Sequence, residues 1–179
     1  MNFCSECGDR VELRVPDGDS FPRHVCTRCG KVHYVNPLIV VGCVPEADGK
    51  ILLCRRAIEP RYGYWTIPAG FMENGETMAE GAARETMEEA MARVEVSDLF
   101  AVVDVIHARQ VHMMFRARLL GGFGAGAESL EVRLFEPDEI PWGDIAFQSV
   151  RFALEKYLED RAAGVERLHT VTIDRTRPA

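Results

Sequence analysis

The stretch GFMENGETMAEGAARETMEEAM, Gly70 to Met91, decides how this chain folds and points to its chemistry. From Glu76 onward it is rich in good helix formers and takes a helix despite a single interior glycine. At 100° per residue, Glu88 and Glu89 then lie within about 60° of Glu85, so three carboxylates share one face. Like charges at these spacings destabilise an isolated helix by roughly 0.2–0.5 kcal/mol per pair. A bound Mg2+ or Mn2+ offsets that cost, because hard cations take carboxylate oxygens, keep several waters and bridge to substrate phosphates. The plainer alternative is a solvated acidic face. The preceding residues favour the cation: Trp65-Thr66-Ile67-Pro68-Ala69-Gly70 is an apolar strand broken by proline and glycine, which lets the backbone turn tightly into the acidic helix. Arg84 follows Glu76 by eight positions, a spacing that lets Glu76 reach the guanidinium and brace the loop against the helix.

These residues resemble the box of the Nudix hydrolase family, G-x5-E-x7-R-E-U-x-E-E-x-G-U with U aliphatic. Gly70, Glu76, Arg84, Glu85, Glu88 and Glu89 all fall at the required spacing. The resemblance implies an α/β/α sandwich around a mixed sheet, with the box folded as loop, helix and loop, and a pyrophosphohydrolase activity. It also implies the catalytic set: Glu85, Glu88 and Glu89 with the Gly70 carbonyl as Mg2+ or Mn2+ ligands, and Arg84 orienting the helix through Glu76. Two positions depart from the pattern, Thr86 for the aliphatic residue and Met91 for the final glycine. A glycine just past a helix supplies a left-handed conformation that a side chain disfavours by roughly 1–2 kcal/mol. Either Met91 accepts that strain, or the helix runs on through Ala90-Met91-Ala92.

A second pattern lies near the N-terminus. Cys4-x2-Cys7 and Cys26-x2-Cys29 have the spacing of a tetrahedral zinc site, and each pair is followed by a glycine, Gly8 and Gly30, suited to a knuckle turn. Disulfides are the competing reading, but no apolar signal segment precedes the first cysteine, and the chain reads as cytoplasmic. Four thiolates close the coordination sphere, so this zinc is expected to be structural. His24 and His33 lie close by and are better read as packing or surface residues, and Cys43 and Cys54 as buried core.

At 179 residues the chain accommodates a zinc ribbon over residues 1–37 and a Nudix domain over residues 38–179. No apolar stretch approaches the roughly 20 residues needed to span a bilayer. A net charge of −7 argues against nonspecific binding to membranes or nucleic acid. Within the ribbon, Arg10, Arg14, Arg23, Arg28 and Lys31 are offset by Glu6, Asp9, Glu12, Asp17 and Asp19, and four thiolates on one zinc add about −2. That leaves no basic footprint for a phosphate backbone, so docking onto the main domain or a second subunit fits the ribbon better.

The remaining sequence supplies strands and one long helix. Leu38 to Val44 reads as a buried strand, and Asp48-Gly49 as a hairpin turn into Lys50–Arg56. Strands follow over Arg93–Val105, Val111–Leu119 and Glu131–Phe135, then an amphipathic helix from Asp144 to Ala163 with Phe147, Val150, Leu154, Tyr157 and Leu158 on one stripe. Gly121-Gly122-Phe123-Gly124-Ala125-Gly126 lacks the lysine and the following helix of a phosphate loop and reads as a flexible connection.

For the substrate, Phe3-Cys4, Tyr34, Asn36-Pro37 and Glu128-Ser129-Leu130-Glu131 with Arg133-Leu134-Phe135 resemble a zinc-ribbon Nudix branch that includes FAD and ADP-ribose pyrophosphatases. This implies cleavage of a small dinucleotide substrate, FAD yielding FMN and AMP, and a homodimer. Tyr62, Tyr64, Trp65 and Phe147 are candidates to stack a ring, and Arg55 and Arg56 to pair with phosphates. Glu128 and Glu131 are candidates to position the attacking water. An NADH pyrophosphatase is an alternative, though its Ser-Gln-Pro-Trp-Pro-Phe-Pro type motif is absent. A noncatalytic nucleotide sensor would be expected to lose box glutamates, and a nucleic-acid-binding ribbon to carry positive charge.

Overall fold

A computed structural model describes residues 1–174, and its contacts separate into two units, Met1–Pro37 and Leu38 onward. The first unit is a three-stranded antiparallel sheet of β1 (Val11–Arg14), β2 (Arg23–Cys26) and β3 (Val32–His33), with β2 central. Its apolar interior is small, essentially Val25 with Cys4 and Cys26, as expected of a module too short to fold on hydrophobic burial alone.

The second unit is built on β4 (Leu38–Ala47) and β5 (Lys50–Arg56), joined by Asp48-Gly49 with φ of 50° and 81°. Two positive φ values match the turn that continues strand twist into a hairpin. The short β6 (Trp65–Thr66) and β7 (Ala69–Phe71) pair with β5 and β4, on either side of Pro68. Next come α1 (Met78–Ala90), β8 (Val94–Val105), β9 (Gln110–Leu119), β10 (Ser129–Phe135), α2 (Gln148–Ala163) and β11 (His169–Ile173). The strand order is β10-β5-β4-β9-β8-β11, with β4 parallel to β9, β8 parallel to β11, and the other pairs antiparallel.

Both faces of the central strands are covered, which is why β4 is a continuous apolar run instead of an alternating one. Val41, Cys43, Phe115 and Ala117 pack with Ala82 of α1 on one face. On the other, Val44, Leu53 and Met114 meet Val150, Ala153 and Leu154 of α2. Each large side chain buried in this way contributes roughly 1.5–3 kcal/mol. The outcome is the α/β/α sandwich with a mixed sheet, and among the described residues no helix is long and apolar enough to cross a membrane.

The long helix starts later than its stripe suggested, at Gln148, because Trp142–Asp144 forms a separate 3-10 turn. The strand β11 has no counterpart in the sequence reading. It is held beside β8 by Asp160, a fully buried carboxylate of α2. Asp160 accepts from Arg116 Nη2 at 2.6 Å, Arg167 Nε at 2.9 Å and the Arg167 backbone N–H at 3.2 Å, and it lies 3.0 Å from His169 Nε2. Burial pushes its pKa up, but the bonds from His169 and Arg167 outweigh burial and hold it well below the usual range.

The helix α1 stops at Ala90, and Met91 adopts the left-handed conformation with φ 47° and ψ 32°. Met91 therefore takes the strain instead of extending the helix. Its side chain is 61% exposed, so little packing repays that strain. Met91→Gly should stabilise the protein by about 1 kcal/mol, read as a higher denaturant midpoint at unchanged slope. Asp160→Asn should cost about 3–5 kcal/mol at neutral pH by leaving Arg116 unpaired. Since the folded pKa of Asp160 is depressed, that stability is present above about pH 4 and is lost as pH falls, so denaturation curves of variant and wild type should converge in acid.

Candidate active site and zinc centre

In the ribbon, Gly8 and Gly30 have φ of 73° and 72°, and each donates its N–H to the first cysteine of its own pair, Cys4 O at 3.0 Å and Cys26 O at 3.2 Å. These equivalent turns aim four thiols at one point. The Sγ separations are 3.7 Å for Cys4–Cys29, 3.5 Å for Cys7–Cys26 and 3.6 Å for Cys7–Cys29. A zinc tetrahedron with bonds of about 2.3 Å has edges of about 3.8 Å, so the thiols stand close to where the ion requires them. The Cys29 backbone N–H on Cys26 Sγ lowers the Cys26 pKa to about 6, which favours the thiolate. His33 is buried with Nε2 3.4 Å from Cys4 Sγ, beside a ligand set that four cysteines already complete. Cys43 and Cys54 are core residues at 0% and 1% exposure.

The acidic helix begins at Thr77, whose side chain accepts from the Glu80 N–H while the Glu80 carboxylate accepts from the Thr77 N–H. Thr77-x-x-Glu80 is a capping box, and it leaves Glu76 outside the helix. Glu76 turns instead to Arg84, which donates Nε to Oε2 at 3.0 Å and Nη2 to Oε1 at 2.8 Å. Arg84 also donates to Phe71 O at 3.0 Å, Glu85 Oε1 at 2.7 Å and Glu88 Oε2 at 3.0 Å. Hydrogen bonds from the Arg84 side chain and the Glu73 N–H hold the Glu76 carboxyl down to about 2.

Across the groove, the Glu85 carboxylate lies against Gly70, where an added Cβ would meet it at 2.3 Å. Any side chain there would have to displace the Glu85 carboxylate. The Ala69 N–H points at Glu89 Oε2, 3.3 Å away, so Glu85 and Glu89 share the corner that carries Gly70. Burial, then the charges of Glu85 and Glu128, push the Glu89 pKa up to about 8, and burial raises that of Glu85 as well. The carboxylates do not converge as tightly as the thiols do, because Arg84 Nη1 spans Glu85 and Glu88. An all-oxygen donor set crowded enough to hold one acid protonated near neutrality still matches a hard divalent cation.

Beside this corner opens a cleft of about 430 Å³ whose walls include Arg56, Arg61, Gly70, Phe71, Gln110, His112 and Phe147. The Arg56 guanidinium lies 5.1 Å from the centre of the Phe147 ring, and its charge also acts on Glu89. His112 lies 2.9 Å from Gln110 Oε1 through Nε2, and burial lowers its pKa to about 4, so it is neutral near pH 7. Of the stacking and phosphate-binding candidates, Arg56 and Phe147 line the cleft, and the others do not. Trp65 is a core residue, 9% exposed and edge-on to Phe135 at 4.9 Å, which corrects its reading as a stacking ring. Arg55 points to the opposite face of β5 from Arg56, donating to Gly63 O at 2.9 Å and pairing with Glu131 at 3.9 Å. Glu131 is thereby engaged away from the cleft, Tyr62 is exposed, and Tyr64 carries Arg61 over its ring. Sequence reading missed Gln110 and His112, although two polar residues at i and i+2 in the apolar first half of β9 mark a wall that meets something polar.

The fold sets an acidic corner, carried by Gly70, Glu85 and Glu89, beside an open cleft. The family comparisons assign it: the model described as NUDIX domain matches residues 36–155, and that described as Nudix N-terminal, a zinc ribbon, matches residues 2–35. The chain belongs to the Nudix family. It is similar to a NUDIX hydrolase from Nitrosomonas europaea of known structure, with 54% identity and a TM-score of 0.94 over 98% of this chain and all of that one. It is 30% identical to an ADP-ribose pyrophosphatase from Methanocaldococcus jannaschii, over 71% of this chain and 74% of the relative. It is also 30% identical to a NAD-capped RNA hydrolase NudC from Vibrio atlanticus, over 94% of this chain and 63% of the relative. The chain spans less than two thirds of the length of several curated relatives. With an RNA hydrolase among them, net charge alone does not exclude a nucleic-acid substrate for this chain.

Metal analysis of purified protein should find one zinc per chain, and Cys26→Ser should lose it together with ribbon stability, since little apolar core supports that unit.

Proposed function

We propose that this protein is a pyrophosphohydrolase that cuts the diphosphate of a nucleoside diphosphate-linked substrate, ADP-ribose or FAD in the first instance. The observation that carries the reading is the adjacency of Gly70, Glu85 and Glu89 to the cleft holding Arg56 and Phe147. A diphosphate with a flat ring on one side needs charge neutralisation at one end and an aromatic surface at the other, and both meet at Gly70. The relative named as an ADP-ribose pyrophosphatase supports the same class.

Glu85, Glu88, Glu89 and the Gly70 carbonyl would hold Mg2+ or Mn2+. Bound there, the ion supplies charge neutralisation on the phosphates and lowers the pKa of coordinated water. Arg84 positions the helix through Glu76, as its hydrogen bonds indicate. Arg56, between Phe147 and Glu89, is placed to pair with the phosphate nearer the ring, where a guanidinium can bond two oxygens at once. Phe147 and Phe71 offer ring faces. Glu128 sits close enough for its charge to act on both Glu85 and Glu89, and we assign it the water proton. In that step water oxygen bonds to phosphorus, the bridging P–O bond breaks, and Glu128 takes the proton.

A second reading rests on the NudC relative, whose match extends over 94% of this chain: the substrate carries nicotinamide on its second ribose, where ADP-ribose has none and FAD has a flavin on ribitol. A panel of FAD, ADP-ribose, NADH, NAD-capped RNA and nucleoside triphosphates, assayed with Mg2+ and Mn2+, separates these readings. Turnover of ADP-ribose or FAD above the others is expected, with Glu89→Gln reducing kcat by roughly 10²–10³-fold. Preference for NADH or capped RNA favours the second reading, and the enzyme assignment fails if no diphosphate is cut or Glu89→Gln is fully active.

A further inference from the structure

The loop from Gly121 to Gly126 begins thirty residues beyond Met91, yet it makes two backbone hydrogen bonds to the end of α1. The last carbonyls of a helix have no partner within it. In α1 the left-handed cap serves the earlier ones, Met91 donating to Met87 O at 3.0 Å and Ala92 to Thr86 O at 3.5 Å, but the last turn carries no basic side chain for Glu89 and Ala90. The loop supplies the missing donors. Gly126 donates its N–H to Glu89 O at 3.0 Å, and Gly124 donates to Ala90 O at 2.8 Å. The approach at Gly126 is so close that a Cβ would stand 1.8 Å from Glu88 O and 2.8 Å from Glu88 C. At Gly124 a Cβ would meet only Met91 Sδ, at 3.9 Å, and at Gly122 nothing.

The loop is anchored at both ends. Leu120 donates to Arg93 O at 2.8 Å, Ser129 donates to Gly126 O at 3.1 Å, and Ala57 donates to Glu128 O at 2.8 Å. Glu128 follows Gly126 by two residues, and its charge acts on Glu85 and Glu89. One short segment thus grips the backbone of Glu89, presses against that of Glu88 and delivers a fourth acid beside them.

We propose that residues 121–126 form a strap that sets the position of Glu88 and Glu89 for the divalent ion, with Gly126 as a positioning residue. The proposal rests on the metal reading above. A displacement of about 1 Å at a reacting centre costs on the order of 10²-fold in rate, so a methyl group that forces the strap off the helix should be visible far from any substrate contact. Reciprocity adds a second consequence: if the strap favours the metal-competent helix end, bound metal must tighten the strap by the same factor.

The test compares wild type, Gly126→Ala and, as a control at a glycine that makes neither strap bond, Gly122→Ala, each with its zinc retained. Mn2+ affinity is measured from the free-ion electron paramagnetic resonance signal, and kcat and KM are measured on the preferred diphosphate. Gly126→Ala should bind Mn2+ about 10–100-fold more weakly, the range seen when residues behind metal ligands are altered, with reduced kcat and nearly unchanged KM. Gly122→Ala should match wild type, since a Cβ there meets nothing within 4 Å. In wild-type protein, hydrogen exchange at the Gly124 and Gly126 amides should slow when Mn2+ is added, a readout that stands even if Gly126→Ala fails to fold. The strap is overturned if Gly126→Ala binds Mn2+ as wild type does, if both variants lose affinity alike, or if amide exchange is indifferent to Mn2+. Wild-type protein that binds no Mn2+ overturns the metal reading and the strap with it, whereas normal binding with an indifferent Gly126→Ala overturns the strap alone.

Discussion

One guanidinium organises the acidic end of this molecule. Arg84 distributes its N–H donors among Glu76, Glu85, Glu88 and the Phe71 carbonyl, joining the loop before α1, the strand β7 and the helix itself. A lysine offers a single ammonium and could not span these partners in a fixed plane. Without such a tie, three carboxylates within one and a half turns would repel each other and the loop would have no fixed distance from the helix. With it, Glu76 and Glu85 are held on either side of the arginine, and Gly70 closes against Glu85.

The sheet explains why this tie sits beside the cleft. Parity along β5 separates two adjacent arginines: Arg56 lines the cleft and Arg55 is turned away to Gly63 and Glu131. The same alternation on β9 places Gln110 and His112 at one end of a face, Met114 in the core and Arg116 against Asp160. A single strand thus serves a cleft wall, the apolar interior and an ion cluster in turn.

Much of this was legible in the sequence, for identifiable reasons. The box glutamates, the arginine pairing and the cysteine knuckles are local, and spacing along the chain fixes their relations directly. The hairpin at Asp48-Gly49 and the buried strands followed from turn chemistry and apolar runs. What was not legible depends on partners distant in sequence. Trp65 was a candidate stacking ring that Phe135 holds in the core, and the glycine-rich loop looked loose until the end of α1 gave its amides something to bond. The strand β11 carries only an alternating trace, and its place beside β8 comes from Asp160, a contact that periodicity cannot foresee. The capping box at Thr77 was visible and overlooked, and it would have placed the helix start correctly.

The anchoring of β11 also bears on how the protein can change. Ile173, at the end of that strand, forms part of the cleft wall, while Asp160, Arg167 and His169, which hold the strand, lie outside the acidic corner. Part of the cleft wall is therefore held by a cluster outside the box, while Gly70 and Phe71 of the box line the same cleft. Residues 160–173 offer a route by which mutation or laboratory selection can reshape what the cleft admits while the box stays untouched.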